Sequence, residues 1–555
     1  MIKCKDRTRR EMFDFIPWGT KNHHNKLKSS IYHTFRKEIL PYLNISILSK
    51  HFSNDTGRAT KDLQSVMGLF IIQALKNMTD EEAIEAFCFN DAFRYALDIH
   101  RDEYISERAY YYYRAKLLGE EEKVFDSVLK RIADRINLNT AIQREDSTLV
   151  RTWLKSMSKL DCFSTTINKF LKEIKETHPI IFSRINEDIR TKYFSTKDDQ
   201  RWFGSKKPDE YQKCLVEAAK DVLSLLDQFD AHPKVSKLES YALLKRLADE
   251  QITEDSKGIT VKVKPEAKGT AMANPHDPDA HYNGHRKKVG YKADFTETCG
   301  PDKDTPNPKI ITNVEVTKAN VADSKIIEDV VDKLEEKGLK PEKLLADNGY
   351  DSDAIQQNLR QKDVELICPP SGDFPDGFSL LDFKISESGK EIVKCPMGQS
   401  CLENKISKNR KETSSYFNRE TCGNCPHSHD CPVKITRRKA KVVWKWNKPR
   451  IEARRLMFND DEEIKSLYRQ RSGGEAPFSI AKRVLGLERT RRRGFARNKM
   501  VIFLAATALN VLRMHLWVHL PGKLHRFFII LRNFWLNFVH FWQKVMAEND
   551  FVIAS

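Results

Sequence analysis

Apolar residues recur at helical spacing through the first quarter of the chain. LQSVMGLFIIQAL (63–75) and TDEEAIEAFCFNDAFRYAL (79–97) repeat them every three or four positions, which predicts packed helices. Thr79 followed by Glu82 has the form of a capping box, and Ser106 stands at the start of a further helix, SERAYYYYRAKL. Near 141 the period changes. AIQREDSTLVRTWL enters as a strand, and Asp146-Ser147-Thr148 predicts a polar turn at its end. Residues 155–255 return to helical spacing. Then RKKVGYKADFTET (286–298) and KIITNVEVTKAN (309–320) alternate as strands do, followed by a helix over VADSKIIEDVVDKLEEK. A short apolar strand, PEKLLADNGYDS, leads into an Asp-Asn-Gly turn, then a helix (DAIQQNLRQK) and a last strand (VELICPP). The order strand, strand, strand, helix, strand, helix, strand predicts an α/β (α+β) protein built on a mixed sheet with flanking helices.

A chain of 555 residues exceeds one simple core. The pattern divides it into a helical N-terminal region (1–140), a first core strand (141–155) and a helical insertion (156–265). The core continues over 266–370, a cysteine-rich insertion spans 371–448, C-terminal core helices span 449–515, and a helical tail closes the chain (516–555). The apolar stretch from Met500 to Val545 is interrupted by Arg513, His515, Lys523, Arg526, Arg532 and Lys544, so packed helices are expected there and no membrane span. The first residues carry charges where a signal peptide has its apolar segment, which predicts a cytoplasmic protein, and eleven cysteines then imply reduced thiols or metal ligands. A net charge of +17 suits a polyanion such as nucleic acid.

Three acids stand out. Asp347 sits where an apolar strand meets a turn, a place where a rigid sheet aims a side chain into an open site; it equally fits a turn aspartate supporting Asn348-Gly349. Asp146 has the same two readings. Glu475 lies seven residues after Tyr468, four after Arg471 and seven before Lys482, a spacing that predicts all four on one helix face. Such a stripe also fits a solvated face with an Arg471–Glu475 ion pair. The preceding Gly473 and Gly474, each costing about 1 kcal/mol in an exposed helix, point instead to the close approach of something to the backbone there.

The pattern Y-x2-R-x3-E-x6-K at Tyr468, Arg471, Glu475 and Lys482 resembles the signature of DDE transposases of bacterial insertion sequences. GLERTRRRGFARNKMVIFLAATALNVLRM after it, ADNGYDS and REDSTLV before it, and the helical N-terminal stretch are similar to the subgroup with a cysteine-bearing insertion. The resemblance implies a ribonuclease-H-like core with Asp146, Asp347 and Glu475 as catalytic acids holding two Mg2+ or Mn2+ ions. It implies cleavage at transposon ends in double-stranded DNA (terminal inverted repeats), attack of the freed 3′-hydroxyl on target DNA, and a homodimer joining two ends at the nucleoid. Hard carboxylate oxygens suit those cations, and a metal pair serves both nucleophile and leaving oxygen. Asp146 and Asp347 lie 201 residues apart. Asp277 or Asp279, in HDPDAHYNGH, is the alternative first acid.

Two further features bear on function. Cys422 and Cys425 form a C-x2-C pair with Cys431 beyond, and Cys395 completes a candidate structural zinc set; Cys401, His427 and His429 are spare ligands. Residues 434–455 hold ten Lys or Arg, and 489–499 hold six, including Arg491, Arg492 and Arg493. Flanking Glu475 as they do, these runs predict phosphate contacts, with Tyr468, Arg471 and Lys482 on the flanking phosphates. A zinc-containing DNA-binding protein without catalysis, derived from such an enzyme, is the second reading.

Overall fold

The computed structural model describes residues 1–7, 20–100, 102–154, 157–194, 208–255, 258–262, 270–300, 308–370, 372 and 374–519. Of the expected tail, 520–555 lies outside the described residues.

The central sheet is mixed. Its strands are β1 (Ile142–Thr152), β2 (His281–Asn283), β3 (Lys288–Thr298), β4 (Ile311–Lys318), β5 (Lys343–Leu345), β6 (Glu365–Ile367) and β7 (Arg489–Thr490). The order across it is β4-β3-β1-β5-β6. β1, β3 and β4 are antiparallel neighbours, while β5 and β6 run parallel to β1. β2 extends the outer side of β3, and β7 pairs with the far end of β1. Strand β1 does not stop at Asp146 as the polar residues suggested. It runs six residues further, because β3 pairs with it continuously from Gln143 to Arg151 and satisfies its backbone.

Helices cover both faces. On one side, α1 (Leu63–Lys76), α2 (Glu121–Ile136) and α7 (Phe495–His519) share an apolar core with Val150, Phe295 and Val314 of the sheet. On the other, α3 (Ile327–Glu336) and α4 (Asp353–Gln361) pack on β5 and β6. Thr79 and Glu82 do form the expected capping box, and Ser106 accepts the backbone N–H of Ala109 as an N-cap. α7 is long and apolar enough to cross a membrane by composition. Yet most of its apolar stretch is buried in the protein, with Met500, Phe503, Ala506 and Asn510 all covered, as befits a core helix.

Residues 159–194 and 208–251 form a helical bundle with its own core around Phe163, Phe170, Val222 and Leu244. Residues 403–445 form a small four-stranded antiparallel sheet packed on Trp444 and Phe417.

Candidate functional site

The two aspartates meet through strand register. β1 and β5 are parallel and pair Ile142 with Lys343 and Arg144 with Leu345, an offset of 201 residues. Carried two residues further, that register sets Asp146 level with Asp347 on strands spaced about 5 Å apart. The sequence separation that looked long is thus the register of one strand pair. β5 ends at Leu345, so the edge of β1 facing it is unpaired from Glu145 until β7 takes over at Arg151. A cleft at the carboxyl end of parallel strands is where an α/β sheet offers a site.

Asp146 is mostly covered, with its side chain 19% exposed. Its Oδ1 accepts the backbone N–H of Ser147 at 2.9 Å, and its Oδ2 lies 3.8 Å from Arg471 Nη1. Burial pushes its carboxyl above the usual aspartate range. Ser147 and Arg471 pull the other way, and the charges of Asp347 and Glu475 add to the rise. Asp347 is half-buried and caps a 3-10 turn over Asn348–Tyr350, its Oδ1 accepting the N–H of Gly349 at 2.8 Å. The turn is anchored by fully buried Tyr350, whose hydroxyl donates to Asp294 of β3 at 3.1 Å.

The segment carrying Glu475 is not one helix. α5 (Glu462–Arg469) ends before a 3-10 turn, Gln470–Gly474, and α6 (Glu475–Arg483) begins at the glutamate. The two glycines break it, and their reason is contact with β1. A Cβ at Gly473 would stand 2.3 Å from Arg144 Nη1, and one at Gly474 would stand 3.3 Å from Asp146 Oδ2. Arg144 is buried on β1, hydrogen-bonded to Glu297 Oε2 through Nε and Nη2 and to the carbonyl of Gln470 at 2.7 Å. Glu297 also ion-pairs with Arg513 of α7 at 2.8 Å. This buried Arg–Glu–Arg group joins β1, β3, α7 and the glycine turn, and sequence reasoning missed it; no spacing links residues so far apart.

The four signature residues therefore lie on two helices and the turn between them and do not share one helical stripe. Tyr468 closes α5 and packs edge-on against Phe458. Arg471 lies over the Tyr468 ring, 5.6 Å from its centre, and pairs with Asp146; the described ion pairs do not join it to Glu475. Glu475 is exposed at the start of α6, and Lys482 is half-buried in its last turn. Burial lowers the Lys482 ammonium below its usual range, with Arg286 and Arg151 adding to the effect.

Asp277 and Asp279 serve elsewhere. Buried Asp277 accepts the Tyr291 hydroxyl at 2.6 Å and the N–H of Gly494 at 3.0 Å, and Asp279 accepts the N–H of Phe495. Both fix the start of α7 against β3. Of the three arginines, Arg491 and Arg493 are exposed. Arg492 is committed to Asp80 at 2.6 Å, in a group with Arg114 and Tyr110, so it ties the N-terminal helices to the core and is not free for a phosphate. Burial raises Asp80, but the hydrogen bonds of Arg492 and Arg114 outweigh it and hold its carboxyl well below the usual range.

In the cysteine-rich unit, burial raises the Cys422 thiol first, and Cys395, Cys431 and Cys425 raise it further, so these four stand within electrostatic reach of one another. Cys401 instead donates to the carbonyls of Glu403 and Tyr416. Among the described residues, no group of three or more His, Cys, Asp or Glu stands at metal-ligand spacing.

Residues 394–515 match the family model described as Transposase DDE domain, and residues 5–114 match that described as Transposase domain (DUF772). The two matches indicate a transposase of the DDE, insertion-sequence type. A DDE domain implies dependence on divalent metal in general. No curated protein matches the chain. Among solved structures, a piggyBac transposase synaptic complex with hairpin DNA, determined by cryo-electron microscopy, is 10% identical, covering 87% of this chain and 74% of that one at a TM-score of 0.28. That likeness is too loose to bear on fold or function.

Proposed function

We propose that the chain is a metal-dependent DNA transposase. It cuts at the ends of its element and joins the freed 3′-hydroxyl to target DNA, with Asp146, Asp347 and Glu475 as the catalytic acids. The observation that carries this reading is the meeting of three sequence-distant segments. Strand register levels Asp146 with Asp347, and the Gly473-Gly474 turn seats the start of α6 against Asp146. The sheet order, three antiparallel strands continued by two parallel ones, supports a ribonuclease-H-like core.

The three acids offer hard oxygen ligands, the donor chemistry that Mg2+ or Mn2+ takes. Bound there, such ions supply Lewis-acid stabilisation of the phosphoryl oxygens and activation of the attacking oxygen. The chain's own residues orient the substrate. Arg471 supplies positive charge at Asp146, and its guanidinium is steered by the Tyr468 ring. Lys482 offers a cation on a phosphate flanking the scissile bond. Arg491 and Arg493 extend that contact along the backbone. Cys395, Cys422, Cys425 and Cys431 would hold a structural Zn2+ beside the small apolar core around Trp444 and Phe417. A homodimer in the cytoplasm acting on terminal inverted repeats completes the reading.

The test is nicking of an oligonucleotide duplex bearing the cognate ends, with and without Mg2+. Asp146→Asn, Asp347→Asn and Glu475→Gln should each lower cleavage by roughly 10^2–10^3-fold while leaving the melting curve and DNA affinity intact. A wild-type protein that binds the ends and never cuts them supports the non-catalytic reading instead.

A further inference from the structure

Past the end of β1, seven residues beyond Asp146, Trp153 stands 60% exposed. A single exposed tryptophan is ordinary on a protein surface; this one is held in a built setting. Arg489, whose strand β7 pairs Arg151 with Arg489, places its guanidinium 4.5 Å from the centre of an indole ring. Two hydrogen bonds pin it there, Nε to the carbonyl of Thr152 at 3.3 Å and Nη2 to that of Trp153 at 2.9 Å.

The β2–β3 hairpin approaches the same place. Gly290 pairs with Arg151, and only glycine allows this, since a Cβ would meet the Val150 carbonyl at 2.2 Å. Continued by two residues, the register brings Lys288 level with Trp153. The hairpin tip adds Arg286 and Lys287, both exposed. Among the described residues no ion pair engages these three cations. The acid that is engaged nearby is Glu488, taken up by Arg151 at 2.6 Å.

We propose that Trp153, backed by Arg489 and rimmed by Arg151, Arg286, Lys287 and Lys288, takes an unpaired nucleotide of the DNA strand that enters the carboxylate pocket. The inference rests on the DNA-processing reading above. Base pairs inside a duplex stack on each other and offer no face to an indole, so only an end or extruded base can use it. Its phosphates meet the hairpin cations. Along β1 the distance from Asp146 is roughly 23 Å at about 3.3 Å per residue, or about seven nucleotides at about 3.4 Å each. The aromatic therefore anchors the flank of the cut strand and leaves the scissile bond to the acids.

The experiment measures the affinity of the full chain, by fluorescence anisotropy, for a blunt duplex and for the same duplex with a short single-stranded extension of either polarity. Wild type should prefer an extended duplex, and Trp153→Ala should lose about tenfold on it, in line with one base stack. Blunt-duplex binding should not change, and Trp153→Phe should keep most of the preference. Arg286→Ala combined with Lys287→Ala should weaken both substrates together and flatten the salt dependence. A Trp153→Ala protein with the wild-type preference, or a wild type with no preference, overturns this inference and leaves the transposase reading standing. A wild type that binds neither substrate overturns both.

Discussion

At the scale of single residues, Gly473 separates packing from chemistry. Its missing Cβ leaves room for Arg144 Nη1, and that guanidinium cannot swing aside. Glu297 and the Gln470 carbonyl hold it at three points, and both it and Glu297 are almost wholly buried. Gly473→Ala should therefore cost roughly 1–3 kcal/mol of stability, as overpacking does. It should also lower cleavage by shifting the start of α6 from Asp146. Chemical denaturation and the nicking assay read the two effects separately; an alanine variant with unchanged stability would mean that the turn relaxes without Arg144. The glycines' need for close approach could be read from the chain, but their partner could not. Arg144 looks like any strand arginine until β3 and α7 supply Glu297 and Arg513.

At the scale of elements, α7 joins the sheet to the N-terminal helices, and its last turns carry a pH-sensitive contact. His515 Nδ1 lies 2.8 Å from the Thr34 hydroxyl, and burial lowers its imidazole to about 4, with His519 adding to the drop. The folded state thus binds fewer protons than the unfolded one between the ordinary value of 6.5 and about 4. This contribution is intact above 6.5 and is lost as pH falls through that window. His515→Gln should shrink the fall in melting temperature between about pH 7 and about pH 5, measured by calorimetry; an unchanged fall would assign the acid sensitivity elsewhere. The elements themselves were largely legible. Alternation exposed β3 and β4, and helical spacing exposed α1, α3 and α4. Two readings failed for physical reasons. Polar Asp146-Ser147-Thr148 looked like a turn, yet β3 keeps β1 extended through it. The Tyr468–Lys482 stripe looked like one helix, yet two glycines with a low helix propensity yield to a 3-10 turn that fits against β1.

At the scale of the whole molecule, the proposed site depends on segments that start more than three hundred residues apart, and long excursions separate them. About half of the 201-residue gap between the aspartates is taken up by a bundle with its own apolar core. That bundle leaves the sheet after β1 and returns before β2. Its two ends lie together, for the Cys162 thiol donates to the carbonyl of Met272 at 3.7 Å. A chain that leaves and returns at one point can be cut there. Loop closure grows only slowly with length, so a short Gly-Ser bridge in place of residues 158–272 costs the remaining fold little entropy. The sheet core meets the bundle chiefly through the 270–280 loop, where Lys169 and Arg246 donate to the carbonyls of Pro275 and Pro278. The shortened protein should therefore unfold in one cooperative transition and retain Mg2+-dependent nicking, because Asp146, Asp347 and Glu475 keep their strand register and glycine turn. Loss of cooperative unfolding, with the aspartates intact, would show instead that the bundle holds β1 and β3 in register.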